Sequence, residues 1–209
     1  MDSSTFATRP LALPAARPGR RRAAVREPLP GDLAIWFFIA AELAVFGVLF
    51  AAYAFARRAE PGLFAAGQAQ LPLGIALANT LALLTSSFAV ARAVESVRAD
   101  RARACARWLG AALALGLGFV ALKLVEFDRD AAHGFSLSRN LFDMFYLSLT
   151  VFHFMHVLMG MLILGFVAIK AARGGYSARA HAGVESAASY WHMVDLLWIV
   201  LFALVYLLH

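Results

Sequence analysis

The chain has 209 residues, 62% of them hydrophobic and 15% charged, with a mean hydropathy of +0.71 and a formal net charge of +6. A soluble domain carries about 25% charged residues; here the charges cluster and leave long uncharged runs between them, which excludes one large aqueous core and indicates membrane spans. The single cysteine, Cys105, excludes an internal disulfide framework or a thiolate metal cluster, and the positive charge segregates into particular loops, which a topology rule explains better than nucleic-acid binding.

Residues 1–30 are rich in Arg, Pro, Ala and Ser and show no apolar period, so they read as a disordered basic tail. No short apolar stretch with a cleavage site precedes the first span, so a cleaved secretory signal is not expected. Pro10, Pro14 and Pro18 oppose an amphipathic targeting helix. Residues 31–209 form the rest, an all-α bundle of five transmembrane helices with no soluble domain and no internal repeat.

The first span runs about 33–55. It carries Glu42 roughly 13 Å from its start at 1.5 Å per residue. Water is absent at that depth, so an ionised carboxylate is costly and the uncharged form is favoured. The second span, about 72–90, opens on Pro72, where a missing N–H does no harm. Asn79 falls in its first half, and Thr85, Ser86 and Ser87 in its second, where small hydroxyl residues read as helix-packing positions.

The third span, about 108–127, ends on Lys123 and Glu126, an i,i+3 pair that either snorkels to the interface or marks function. The fourth, about 141–169, exceeds the roughly 20 residues a span needs and must tilt or protrude. It carries His153 and His156 near one face. The fifth, about 190–208, opens on Tyr190-Trp191-His192-Met193-Val194-Asp195, with His192 and Asp195 on one face and His192 placed to anchor at headgroup level. Gly110, Gly116, Gly118, Gly160 and Gly165 read as packing positions. Cys105 falls in a basic loop and reads as a bland small residue.

Lys and Arg are distributed unevenly between the two sides. Arg9, Arg17, Arg20, Arg21, Arg22, Arg26, Arg92, Arg98, Arg101, Arg103, Arg107, Lys170, Arg173 and Arg179 fall on one side; Arg57, Arg58, Arg129 and Arg139 fall on the other. The bias predicts a cytoplasmic N-terminus and an external His209.

Two axial ligands must reach a haem iron from opposite sides. His153 and His156 share a helix and a face, and a pairing of His156 with His192 is offset in depth, so no haem or metal is expected in this chain. No phosphate loop, dinucleotide turn or nucleophile elbow stands in a suitable context.

The residues from Phe152 to Gly160 (Phe-His-Phe-Met-His-Val-Leu-Met-Gly), followed some thirty positions later by Tyr190-Trp191-His192-Met193-Val194-Asp195-Leu196-Leu197-Trp198, resemble the paired signature of subunit III of haem–copper oxidases. Ala41-Glu42-Leu43-Ala44-Val45-Phe46 resembles the helix of that family that carries a membrane-buried, carbodiimide-reactive glutamate. The stretch from Ala78 to Ser87 resembles its next helix, and Lys123-Leu124-Val125-Glu126-Phe127 the end of the one after. The matches occur in order and span about residues 31–208. The seven-helix form has two more helices at its start, so this chain resembles the five-helix forms: subunit III of bacterial quinol oxidases, and the accessory E-type subunit associated with nitric oxide reductase; an alternative is subunit III of a cytochrome c or quinol oxidase. Pro30-Gly31-Asp32-Leu33, Lys123 before Glu126, and Tyr190-Trp191-His192-Met193 look most like the second of these.

The resemblance implies a non-catalytic accessory subunit of the bacterial cytoplasmic (inner) membrane. It implies no haem or copper in this chain, a haem-bearing catalytic partner subunit, and a part in assembly, turnover stability or proton uptake. Glu42 would be the buried carboxyl, and His153, His156, His192 and Asp195 polar positions of the bundle. The seven-helix form of the family holds phospholipid in a cleft between its first two helices and the rest; the resemblance implies bound phospholipid here, but not that internal cleft. Two readings from other classes are an independent proton or ion transporter using Glu42 and the histidines, and a lipid-modifying membrane enzyme. The absence of inverted repeats and broken helices weighs against the first, and the absence of a nucleophile–base–orienter set against the second.

Overall fold

A computed structural model describes residues 32–208, and the basic tail read at 1–30, with Gly31 and His209, lies outside the described residues. Six α-helices follow one another: α1 Leu33–Ala59, α2 Pro61–Gln68, α3 Leu73–Arg98, α4 Ala102–Ala132, α5 Leu141–Ala172 and α6 Ala182–Phe202. α6 continues into a widened π turn, Ala203–Leu207. Five of these elements are long and apolar enough to cross a membrane, namely α1, α3, α4, α5 and α6 with its π turn. Among the described residues there is no strand, only an isolated bridge between Ser177 and Ala180.

Local chemistry sets the helix ends. The Asp32 carboxylate caps α1 by accepting from the Ala34 N–H. α1 stops one residue short of Pro61, because a residue before proline disfavours helical geometry. Pro61 then opens α2, its missing N–H being one that a helix start leaves unbonded anyway. The side chain of Asn140 caps α5 by accepting from the Asp143 N–H at 2.8 Å. α4 and α5 are followed by Gly134 and Gly174, at φ 78° and 73°, which close the last turns in the left-handed region. Asp100, at φ 58°, makes the tight turn between α3 and α4, and its carboxylate accepts the Ala178 N–H from the α5–α6 loop.

The membrane helices outrun the spans read from hydropathy. α3 continues eight residues beyond position 90, to Arg98, α4 starts at Ala102 rather than 108, and α6 starts at Ala182 rather than 190. The extra turns carry Arg92, Glu95, Arg98, Arg103, Arg107 and Glu185, which hydropathy rejects but which a helix projecting from the membrane tolerates. At 31 and 32 residues, α4 and α5 are each about 45–50 Å long against a hydrocarbon core of about 30 Å. Cys105 therefore lies in α4, fully buried, and not in a loop. Pro72 sits at the N-cap of α3 instead of in its first turn.

α3, α4, α5 and α6 close into a four-helix ring, with α3 against α4 and α6, and α5 against α4 and α6. α1 lies outside the ring against α6 and α5, and α2 fills the angle between α1 and α5. The buried residues of α1 are Ile39, Phe46 and Tyr53, one stripe at seven-residue spacing. Ile35, Leu49 and Phe50 pack partly against the core, while Phe37, Val48 and Phe55 face outward. Of the glycines expected to be packing positions, only Gly116 and Gly160 face a neighbour closely; Gly110, Gly118 and Gly165 open onto space. Gly67, which the sequence does not mark, lies directly against the Phe142 ring.

The ends of the bundle have distinct chemistry. One end gathers the starts of α1, α4 and α6 and the ends of α3 and α5. It holds Arg92, Arg98, Arg101, Arg103, Arg107, Lys170, Arg173 and Arg179. The opposite end gathers the ends of α1 and α4, the start of α5 and the π turn. It holds Arg57, Arg58, Arg129 and Arg139.

Candidate functional site

Glu42 projects from the middle of α1 toward α5, and its Oε2 lies 3.0 Å from His156 Nε2. The two side chains are 18% and 12% exposed, so the pair opens onto the outer seam between α1 and α5. Phe46 and Phe152 pack around the imidazole, with ring centroids 5.3 and 4.8 Å away. The other ring nitrogen, Nδ1, lies 2.8 Å from the Phe152 carbonyl. A carbonyl only accepts, so Nδ1 carries a hydrogen. Nε2 then either accepts a proton held by Glu42 or donates one to its carboxylate. In both cases the pair holds one shared proton and has no net charge, which suits a membrane-embedded site.

His153 and His156 do not share a face as the sequence suggests. Three positions leave them about 60° apart on the helix, enough to send them to different neighbours. His153 is fully buried on the ring interior, between Trp198 at 5.3 Å and Phe119 at 6.1 Å. Neither of its ring nitrogens has a hydrogen-bond partner among the described residues, and the same holds for both amide atoms of buried Asn79 on α3.

His192 lies ten residues inside α6, which begins at Ala182. Its Nδ1 is 2.6 Å from Ser87 Oγ on α3, and Asp195 lies nearly buried one helical step further along α6. The depth offset expected between His156 and His192 does not arise, since the Tyr190 hydroxyl donates to the His156 carbonyl at 3.2 Å. Direction separates them instead. His156 turns to Glu42 on α1 and His192 to Ser87 on α3. No group of three or more His, Cys, Asp and Glu side chains among the described residues is arranged to hold a metal ion.

Lys123 and Glu126 do not snorkel. Both are fully buried and form an ion pair at 3.1 Å on the ring-facing side of α4. The Lys123 ammonium donates to the Tyr206 hydroxyl at 3.1 Å, and that hydroxyl donates to Glu126 Oε1 at 2.5 Å. The rings of Phe127, Tyr146, Trp198 and Tyr206 surround the ammonium at 5.1–5.8 Å, a stabilising arrangement for a desolvated cation. Tyr146 on α5 lies between Glu126 Oε1, at 2.9 Å, and Asp130 Oδ2, at 2.6 Å. Tyr146, Tyr206 and Asp130 were not marked in the sequence. Asp130 stands one helical turn after Glu126, and that spacing was the available signal. The tyrosines look like ordinary span aromatics until α5 and the π turn are brought against α4.

Arrangement and composition define a multi-pass membrane subunit of five spanning helices with a buried ion pair and buried polar side chains in its interior. The profile of the family described as cytochrome c oxidase subunit III matches residues 5–209. The chain is 37% identical over 172 residues to cytochrome c oxidase subunit 3 of Synechocystis sp., which covers 82% of this chain and 72% of that protein. It is 34% identical over 177 residues to cytochrome c oxidase subunit 3 of Thermostichus vulcanus, covering 84% and 86%. To the cytochrome bo(3) ubiquinol oxidase subunit 3 of Pseudomonas putida it is 28% identical over 179 residues, covering 84% of each chain. The chain belongs to the cytochrome c oxidase subunit III family.

Proposed function

We propose that this chain is the non-catalytic third subunit of a haem–copper respiratory complex. In that role it docks on a haem-bearing catalytic subunit in the bacterial cytoplasmic membrane, with its basic end in the cytoplasm, and supports assembly, turnover stability and proton uptake. Membership of the subunit III family carries the reading. The Glu42–His156 pair adds a chemical reason: it holds a shared proton in mid-membrane, close to the surface of the bundle, where a neighbouring subunit or lipid covers it. Glu42 and His156 are the residues assigned to proton handling. Ser87 and His192 are assigned to holding α3 against α6. The orientation rests on the basic residues gathered at one end. Phospholipid at the protein–protein boundary is part of the same proposal, supported by the outward apolar face of α1.

A finer reading assigns the catalytic partner to the nitric oxide reductase type. The observation behind it is Lys123 preceding Glu126 by one turn, with Tyr190-Trp191-His192-Met193 at the second signature. The oxidase reading follows the names of the relatives. One experiment addresses both. The chain is tagged in its native host and isolated in mild detergent. A haem-bearing membrane subunit is expected to co-purify in fixed ratio, and consumption of oxygen or of nitric oxide by the complex then assigns the acceptor. Isolation without any haem protein, together with proton flux through the chain alone in liposomes, would replace the accessory role with transport.

A further inference from the structure

The Asp130 end of the bundle contains a second proton-holding group, separate from Glu42 and His156. We infer that Glu126 and Asp130 share one bound proton through the Tyr146 hydroxyl, and that this proton exchanges with the aqueous face at that end. The argument is a count of hydrogens. Tyr146 has one hydroxyl hydrogen, yet its oxygen lies 2.9 Å from Glu126 Oε1 and 2.6 Å from Asp130 Oδ2. Two ionised carboxylates would place one of these contacts between lone pairs, which is repulsive in a site without water. One carboxyl bearing a hydrogen resolves both contacts: it donates to the phenol oxygen, and the phenol donates to the other carboxylate.

Charge gives the same answer. Lys123 supplies one positive charge, and Glu126 with Asp130 would supply two negative ones. All three are nearly or completely buried, where an unbalanced charge is costly. One proton on the carboxyl pair brings the cluster to neutrality and leaves Lys123 a cation. Apart from His133 beside Asp130, the surroundings among the described residues add no net charge to the cluster. Tyr206 is a neutral donor to Glu126, His153 on α5 makes no hydrogen bond among the described residues, and Asp143 is neutralised by Arg139 at 2.9 Å. α3 offers only uncharged Asn79 and Thr80 at this depth. His133, beyond the end of α4, turns to the Arg129 carbonyl. Asp130 lies two residues from the end of α4 and Glu126 one turn deeper, so they stand about 3 Å and about 9 Å along the axis from that end.

Infrared difference spectroscopy on the full chain in its native membranes tests this, comparing wild type with Glu126→Gln, Asp130→Asn and Tyr146→Phe at neutral pH. The expected result is a protonated-carboxyl band, separate from any contributed by Glu42, that disappears in either acid variant, shifts in frequency in Tyr146→Phe, and moves on transfer to deuterated buffer. A Glu42→Gln control retains the band. If Asp130→Asn fails to accumulate, Glu126→Gln and Tyr146→Phe carry the same test. No band lost in any variant, two bands lost separately, a band in Tyr146→Phe at the wild-type frequency, or a band that resists deuterium would each overturn the proposal.

Discussion

Trp191 is fully buried, and its indole lies close to two glycines on different helices. A Cβ added at Gly160 on α5 would stand 2.9 Å from Trp191 Cε3 and 3.1 Å from both Trp191 Cζ3 and Tyr190 Cε1. A Cβ at Gly116 of α4 would stand 3.3 Å from Trp191 Cη2. The ring is fully enclosed and close to both glycines, which leaves it little room to shift. Gly160→Ala is therefore expected to destabilise the bundle by overpacking, at about 1–3 kcal/mol. The substitution also gains helix propensity of about 0.8–1.0 kcal/mol, so the proper reference is Gly165→Ala on the same helix, where nothing lies within 4 Å. The propensity gain cancels between these variants and leaves the clash. For a chain of this size the gap corresponds to about 2–4 °C of unfolding midpoint per kcal/mol. Thermal unfolding of the detergent-purified variants measures it. Adding Trp191→Phe to Gly160→Ala removes the clashing atoms and should narrow the gap, because the two positions are coupled. A Gly160→Ala protein that unfolds at or above Gly165→Ala would show that Trp191 is not wedged and that the α5–α6 seam is looser than described.

Lys123→Met should destabilise the chain by about 3–5 kcal/mol by leaving Glu126 buried without its cation, and adding Glu126→Gln should recover most of that loss in the same unfolding assay; equal instability of the single and double variants would refute the pairing. A hydrophobic carbodiimide should label Glu42 in intact membranes and spare Glu126, because Glu42 reaches the bundle surface while Glu126 is enclosed. Peptide mapping that finds Glu126 instead would reverse the assignment. Glu42→Gln should leave the complex assembled, as an amide still hydrogen-bonds His156; loss of the complex on a native gel would make Glu42 structural. A reporter active only outside the cytoplasm, fused after His209, should give signal; silence there with a bright cytoplasmic reporter at the same site would reject the orientation.

The five spans, their order and the uneven basic ends were legible in the chain, because removing backbone and side chains from water imposes long uncharged runs whatever the packing. Glu42, His153, His156, His192, Asp195, Lys123 and Glu126 were legible as exceptions to those runs for the same reason. What each does was not. His153 and His156 differ by one helical step of direction, and only the seating of α5 between α1 and α4 decides that one faces Phe119 and Trp198 while the other faces Glu42. Lys123 seemed free to snorkel until α5 and the π turn placed Tyr146 and Tyr206 over it. Helix ends were misjudged where charged residues continue a helix beyond the membrane, since hydropathy measures transfer into lipid and not helix formation. A single sequence states which side chains are costly in a membrane. Which partner removes that cost depends on helix rotation and neighbour, and only the tertiary structure contains those.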